Sequence, residues 1–192
     1  MRILILSTLI LVLAGTASAS TWETDSAHSH LGFAARHMMI SKVRGSFDQF
    51  AAVLTFDEQE TTRSSVQLTI QAASLDTDND KRDEHLRGAD FFDAGNHPQI
   101  TFTSRRVERS GDRLILIGDL TLRGVTREVA VEIEELTPAV TDPFGHRRMA
   151  VSVRTRIDRR DFGLTWNKAL ETGGVLVGDE VDIYAELELI RK

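Results

Sequence analysis

The sequence contains no cysteine among its 192 residues, which excludes thiol chemistry and disulfide bonds. Stability must therefore come from side-chain packing and backbone hydrogen bonds. The motifs G-x-S-x-G and H-E-x-x-H and the phosphate-binding loop are also absent. Serine, histidine and aspartate occur, but no local arrangement of them resembles a catalytic triad. The sequence thus gives no support for an enzyme.

Positive charge is scarce, because 23 Lys and Arg residues face 29 Asp and Glu residues and leave a net charge of −6. Nucleic-acid affinity depends largely on cations that neutralise phosphates. We therefore expect no nucleic-acid partner.

Long apolar runs are missing except at the N-terminus, where Arg2 precedes an uncharged apolar run from Ile3 to Gly15. This run is shorter than the roughly 20 residues that span a bilayer, and Ala17 and Ala19 form an A-x-A cleavage site. The pattern predicts a signal peptide over residues 1–19, cleaved after Ala19, with a membrane anchor as the alternative. Residues 20–192 would then be a single periplasmic domain without a membrane span. Its net charge would be −7, because cleavage removes Arg2 and no acid.

The dominant pattern in the rest of the chain is an alternation of apolar and polar residues, which indicates strands with one apolar face. The apolar positions are Leu31, Phe33 and Ala35; Phe50, Ala52, Leu54 and Phe56; Val66, Leu68, Ile70 and Ala72; Ile100 and Phe102; Leu114 to Leu122; Val129, Val131 and Ile133; Met149, Val151, Val153 and Ile157; and Val181, Ile183, Ala185, Leu187 and Leu189. Turn sequences such as Ser110-Gly111-Asp112 connect them as hairpins. The pattern predicts an all-β domain, either an antiparallel barrel of about eight strands or a β-sandwich.

Two stretches have helical spacing instead. DKRDEHLRGADFF, from Asp80 to Phe92, places Leu86, Ala89 and Phe92 on one stripe behind an Asp N-cap. DFGLTWNKALETGG, residues 161–174, has apolar residues at helical spacing before two glycines. We predict two short helices that act as lids between strands.

Three histidines fall in HSHLGFAARHM, residues 28–38, which raises the question of a metal site. On one strand, His28 and His30 would lie on the outer face, whereas His37 would share the inner face with Leu31, Phe33 and Ala35. A zinc site needs three or four converging ligands, so we predict no bound metal. His37 could be a core histidine with a local partner or a polar contact for a ligand head group.

The run from Asp76 to Asp80 resembles the beginning of a calcium-binding loop. An EF-hand needs glycine at the sixth position and glutamate at the twelfth. Lys81 and Arg87 occupy these positions, which excludes an EF-hand.

A set of residues spread over the whole chain after Ala19 resembles the YceI family in the same order. These residues are Trp22, Asp25, His28-Ser29, Phe33, His37-Met38, Gly45, Phe47, Arg82-Asp83, His85-Leu86, Asp90-Phe91-Phe92, Pro98, Ile100-Thr101-Phe102, Ser104, Gly118, Leu120-Thr121, Gly124-Val125-Thr126, Arg160-Asp161-Phe162-Gly163-Leu164, Trp166 and Val177-Gly178-Asp179. The resemblance implies an eight-stranded antiparallel, lipocalin-like barrel. Its cavity would hold a polyisoprenoid or a related long amphiphile such as an isoprenoid quinone. It also implies an exported bacterial protein, often a homodimer, with no established enzymatic activity and no cofactor apart from the bound lipid.

The residues that we expect to contact such a lipid are Leu31, Phe33, Ala35, His37, Phe56, Leu68, Ile70, Phe102, Phe162 and Trp166. Large aromatic and small residues mix along the inner rows, which would leave room for a ligand inside an eight-stranded barrel. Two alternatives to a lipid-binding carrier are a metal-dependent or hydrolytic enzyme on a barrel scaffold and a stress-response module without a dedicated ligand.

Overall fold

The computed structural model describes residues 19–171 and 173–192. Residues 1–18, which make up nearly all of the predicted signal peptide, lie outside the described residues. Within the described ranges, no helix is long and apolar enough to cross a membrane.

The described residues contain twelve strand segments and one α-helix. They are β1 (Ser20–Thr24), β2 (His30–His37), β3 (Ser41–Phe47), β4 (Phe50–Phe56), β5 (Ser65–Gln71), β6 (Leu75–Asp76), α1 (Asp80–Arg87), β7 (Gln99–Ser110), β8 (Arg113–Leu122), β9 (Val125–Leu136), β10 (Val140–Thr141), β11 (Arg147–Asp158) and β12 (Val177–Arg191). Three 3₁₀ turns, Thr61–Arg63, Ala72–Ser74 and Arg159–Phe162, connect some of them.

These segments form a closed antiparallel barrel. Strand β12 pairs with β11 along one edge and with both β1 and β2 along the other, which closes the sheet on itself. The segments β1 and β2 therefore act as one interrupted barrel strand, as do β3 with β4 and β5 with β6. Together with β7, β8, β9, β11 and β12 this gives eight barrel strands. The barrel prediction is confirmed, and the β-sandwich alternative is wrong.

The alternation in the sequence correctly identified the inner face of the barrel. The buried core includes Leu31, Ala52, Leu54, Ile70, Ile100, Phe102, Leu116, Leu120, Val131, Met149, Ile157, Ala185, Leu187 and Leu189. Their burial removes one apolar face of every barrel strand from water, which is the main driving force for folding.

The first predicted helix is present but shorter than predicted. Helix α1 ends at Arg87, and the chain from Gly88 to Phe92 forms turns. Its N-cap is Asn79, whose side chain accepts a hydrogen bond from the backbone N–H of Arg82 at 3.0 Å. The carboxylate of Asp83 is buried and accepts the backbone N–H of Thr77 at 3.0 Å, which ties the helix to the strand before it.

The second predicted helix, over residues 161–174, is absent from the described part of that segment. The chain makes the 3₁₀ turn Arg159–Phe162, leaves it through Gly163 at φ 78°, and continues as an irregular loop. The carbonyls of Leu164 and Trp166 accept hydrogen bonds from the Arg159 side chain. A helix would need these carbonyls for its own i to i+4 bonds, so the helical spacing was misleading here.

Candidate ligand cavity inside the barrel

The barrel encloses a cavity of about 250 Å³. All eight barrel strands contribute to its wall, and aliphatic and aromatic side chains make up most of it. The alternation of the strands produces this wall, because every second side chain points inward.

Seven of the ten predicted ligand-binding residues line the cavity. They are Leu31, Phe33, Ala35, Phe56, Leu68, Ile70 and Phe102. The structure thus brings together residues from four barrel strands that are far apart in sequence. Their contact with a ligand stays a prediction.

The other three predicted residues are not among the described residues that line the cavity. His37 is half-buried at the end of β2, where its backbone pairs with Ser41 and Val177. Phe162, the last residue of the 3₁₀ turn Arg159–Phe162, is fully buried in the core. The ring of Trp166 packs edge-on against His85, with the ring centroids 4.8 Å apart. Alternation placed His37 on the inner face, but His37 is the last residue of its strand, and Phe162 and Trp166 lie outside the strands.

Several cavity residues were not predicted from the sequence. Leu86, Phe91 and Phe92 close part of the wall from α1 and the turns after it, and Leu164 does so from the irregular loop. The helical stripe of Leu86 and Phe92 marked them as apolar. The pattern did not show that the stripe faces the barrel interior.

Arg159 is the only charged side chain among the described residues that line the cavity. It is 3% exposed, and burial lowers the pKa of its guanidinium. Its Nε donates to the Gly178 carbonyl at 3.0 Å, and its Nη1 donates to the carbonyls of Leu164 at 2.5 Å and Trp166 at 3.0 Å. Its Nη2 donates to the carbonyl of Val177 at 3.4 Å and to Oδ1 of Asp179 at 3.2 Å.

The guanidinium of Arg159 thus makes five hydrogen bonds within the protein. A guanidinium has five N–H groups, so the five bonds use all of them. Arg159 thus fixes the loop and has no free donor for an anionic ligand. The cavity wall can exclude water and hold hydrocarbon, but its described residues offer no free charge for general acid–base chemistry.

A second arginine organises a separate cluster near the other end of the barrel. Arg148 donates from Nε to Asp142 Oδ2 at 2.7 Å, and from Nη1 to Asp25 Oδ2 and Glu188 Oε1, both at 2.6 Å. These bonds raise the pKa of Arg148. The hydrogen bond from Arg148 lowers the pKa of Asp25 to about 2 and holds that of Asp142 well below its usual value.

Asp25, His28 and Glu188 are close enough together to hold a metal ion. However, Arg148 already donates to both carboxylates, so a cation occupies the place that a metal would need. His30 lies elsewhere, with its ring centroid 5.9 Å from that of Tyr184, and His37 lies at the end of β2. The arrangement does not favour a metal centre, and the absence of a bound metal stays a prediction.

Known proteins resemble this chain in sequence. The UPF0312 protein SAS2572 of Staphylococcus aureus strain MSSA476 is 37% identical over 164 residues, which cover 85% of this chain and 94% of the relative.

Solved structures have the same barrel. BcnA of Burkholderia cenocepacia superposes with a TM-score of 0.75 at 26% identity, covering 86% of this chain and 98% of that one. A YCEI protein of Campylobacter jejuni gives 0.70 at 29% identity, with 82% and 90% covered. A polyisoprenoid binding domain from Saccharophagus degradans gives 0.62 at 16% identity, with 89% and 98% covered, a level that shows a common fold alone.

The family model described as "YceI-like domain" matches residues 22–189. That range contains β2 to β11 complete, most of β12 and the last three residues of β1. The chain therefore belongs to the YceI-like family.

Proposed function

We propose that this protein binds a long-chain lipid inside its barrel, either a polyisoprenoid or a similar amphiphile such as an isoprenoid quinone. The observation that carries the proposal is the cavity wall. Among the described residues that form it, Arg159 is the one charged side chain, and all of its N–H groups are bonded within the protein. Such a wall suits a hydrocarbon chain and does not suit a charged or reactive substrate.

The shape of the cavity also favours a long ligand. On β12 the lining residues run from Val177 to Leu189, twelve residues apart. At about 3.3 Å per residue this is about 40 Å along the strand. A barrel tilt of about 35 to 45° leaves about 30 Å along the axis. An extended chain can use this length, whereas a compact molecule would leave most of the wall without contacts.

Burial of the lipid tail would supply the affinity. Each buried methylene contributes about 0.8 kcal/mol, from which the cost of association is subtracted. The polar head of an amphiphile would lie at an end of the barrel, because the described wall offers no free charged group.

The comparisons support this proposal at the level of the fold. The domain from Saccharophagus degradans is a polyisoprenoid binding domain, so a barrel of this fold can bind such a lipid. Because Ala17 and Ala19 form an A-x-A cleavage site, we also propose that residues 1–19 are removed and that the barrel acts in the periplasm. We further propose that the protein binds its lipid without catalysis, cofactor or metal.

The substitution Ala35→Trp tests the cavity. Ala35 lines it between Val43 and Val181 on the neighbouring strands. An added indole should fill space that the lipid tail needs, so we expect a cooperative melt with loss of the lipid that copurifies from the native host. Lipid extraction and mass spectrometry of both proteins measure this loss. In a filled core, the same change would instead strain the packing by about 1 to 3 kcal/mol.

Ala51→Trp is the matched control, because Ala51 is exposed on the outer face of β4. It should retain the lipid content of the wild type. A well-folded Ala35→Trp protein with normal lipid content would refute the proposed binding site. Absence of any consistent lipid from the wild type would refute the function.

A further inference from the structure

Three large apolar side chains project into solvent at the turn between β2 and β3. Met38 is 41% exposed, Met39 52% and Ile40 78%. We call residues 38–40 the apolar turn. Met38 and Met39 have φ angles of 50° and 64°, a region in which short polar residues and glycine are favoured in hairpin turns. The geometry of the turn therefore does not explain methionine at these positions.

The apolar turn lies at one end of the ligand cavity. The N–H of Met38 donates to the carbonyl of Leu176 at 2.8 Å. Val177, which follows Leu176 directly, and Ala35, three residues before Met38, both line the cavity. The apolar turn therefore begins within three residues of the cavity wall along β2.

Cations surround the apolar turn. Arg36 and Lys42 are directly opposite each other on β2 and β3, and Arg44 lies two residues further along β3 on the same face. Lys168 is in the adjacent loop, where its carbonyl accepts the N–H of Leu176 at 2.9 Å. Lys42 pairs with Asp182.

Arg36 and Lys168 have no ion-pair partner within the described residues, whereas Arg44 shares a polar surface pocket with Asp76 and Asp78. Glu171 supplies an acid in the same loop as Lys168. Unpaired cations beside an apolar tip stand out in a chain whose net charge is −6. The local charge therefore favours an anionic surface even though the whole protein is acidic.

We propose that the apolar turn docks the protein on an anionic lipid bilayer. Apolar side chains at such a tip can enter the boundary between head groups and acyl chains, while the flanking cations are attracted to anionic head groups. Three side chains on one protruding turn are too few for a stable protein interface, which buries about 800 Å² per partner. Transfer of the lipid between bilayer and cavity rests on the proposed function, whereas the docking does not.

Cosedimentation with vesicles tests the docking. The protein from Ser20 is used, because all eight barrel strands lie within residues 20–192 and the apolar N-terminal run would itself bind lipid. The vesicles contain phosphatidylcholine, alone or with a quarter phosphatidylglycerol. We expect binding to the anionic vesicles that high salt weakens. The triple variant Met38→Ser/Met39→Ser/Ile40→Ser should lower the binding by about tenfold or more, because it removes three apolar side chains.

The charge is tested by Arg36→Gln/Lys168→Gln, which should weaken binding to anionic vesicles by about fivefold or more for each cation. The matched control is Phe144→Ser/Arg147→Gln, because Phe144 is 84% exposed and Arg147 is an exposed cation on the β10–β11 hairpin. The control should bind as the wild type does.

Three results would overturn the proposal. The first is that the wild type does not bind the anionic vesicles. The second is that the control variant loses as much vesicle binding as the test variants do. The third is that the wild type is a dimer that binds no vesicles and the serine variant is a monomer. Copurified lipid is measured in the same preparations. If vesicle binding fails while the lipid is retained, the docking is wrong and the proposed function stands.

Discussion

Arg159 and Arg148 organise opposite ends of the barrel in different ways. Arg159 is buried and donates to four backbone carbonyls and one carboxylate. Arg148 is partly exposed and donates to three carboxylates from separate segments of the chain. The first arginine replaces the missing regular hydrogen bonds of a loop, and the second joins segments through charge.

The two ends of the barrel should therefore respond differently to acid. Backbone carbonyls do not titrate, so the loop around Arg159 should keep its conformation over a wide pH range. The cluster around Arg148 depends on ionised carboxylates and should weaken in acid. Three experiments test whether the two ends differ in this way.

The largest effect is expected from Arg159→Met. The variant removes the Arg159 donor from the carbonyls of Leu164, Trp166 and Gly178 in or near the core, whereas the Val177 carbonyl keeps a hydrogen bond from Nδ2 of Asn167 at 2.7 Å. We expect a loss of about 3 to 5 kcal/mol in the free energy of unfolding. Urea denaturation followed by circular dichroism measures it. Hydrogen exchange should also become faster in residues 164–178.

Arg160→Met is the matched control, because Arg160 is adjacent but has a side chain 55% exposed and paired with Asp158 and Asp179. We expect a much smaller change in the urea midpoint. Similar losses in both variants would show that burial of the guanidinium does not distinguish the two positions.

A smaller effect is expected from Arg148→Met. It removes the cation that holds Asp25, Asp142 and Glu188 together, so their mutual repulsion should loosen the contact between β1, β11 and β12. The urea midpoint at neutral pH should fall, but by less than in Arg159→Met. Arg147→Met, at an exposed neighbour without an ion pair among the described residues, should leave the midpoint unchanged. A larger fall of the urea midpoint in Arg148→Met than in Arg159→Met would contradict the expected order.

The smallest effect is a difference in acid sensitivity. The pKa of Asp25 is lowered from 3.8 to about 2, first by the hydrogen bond from Arg148. A carboxyl with a lowered pKa stabilises the folded state fully above its ordinary value, and this stabilisation is lost as the pH falls towards the folded-state value. The wild type should therefore lose stability between pH 3.8 and pH 2 more steeply than Arg148→Met. Urea midpoints across this range measure the two slopes, and parallel curves would contradict the assignment to Arg148.

Most of the fold could be predicted from the sequence because alternating apolar and polar residues have one simple structural solution, a strand with one buried face. Apolar residues occupy every second position from Phe50 to Phe56, from Val66 to Ile70 and from Val181 to Leu189, and these positions face the interior. Ala51 and Val53 are apolar residues on the exposed face of β4. The breaks within the first three barrel strands were not predicted. They depend on pairing between segments, such as the N–H of Asp25 donating to the Glu188 carbonyl at 2.8 Å.

The candidate site was predictable where it consists of strand residues and was missed where it does not. Parity placed Ala35 on the inner face, but it also placed His37 there, although the wall ends before that residue. The loop after Phe162 has helical spacing, yet the side chain of Arg159 determines its path. No local pattern shows which carbonyls a distant guanidinium will bind.

The position of β12 has a consequence for the rate of folding. This strand is the last of the described strands, and it joins β11 to β1 and β2, the first two, which are far from it in sequence. Contacts between residues so far apart in sequence are slow to form, because a long loop must close first. Until β12 is in place, β2 and β11 each have an unpaired edge and the apolar interior is open to water. Such edges favour aggregation, so a chain that ends before Val177 would lack a folded barrel and expose the surfaces that the complete chain buries.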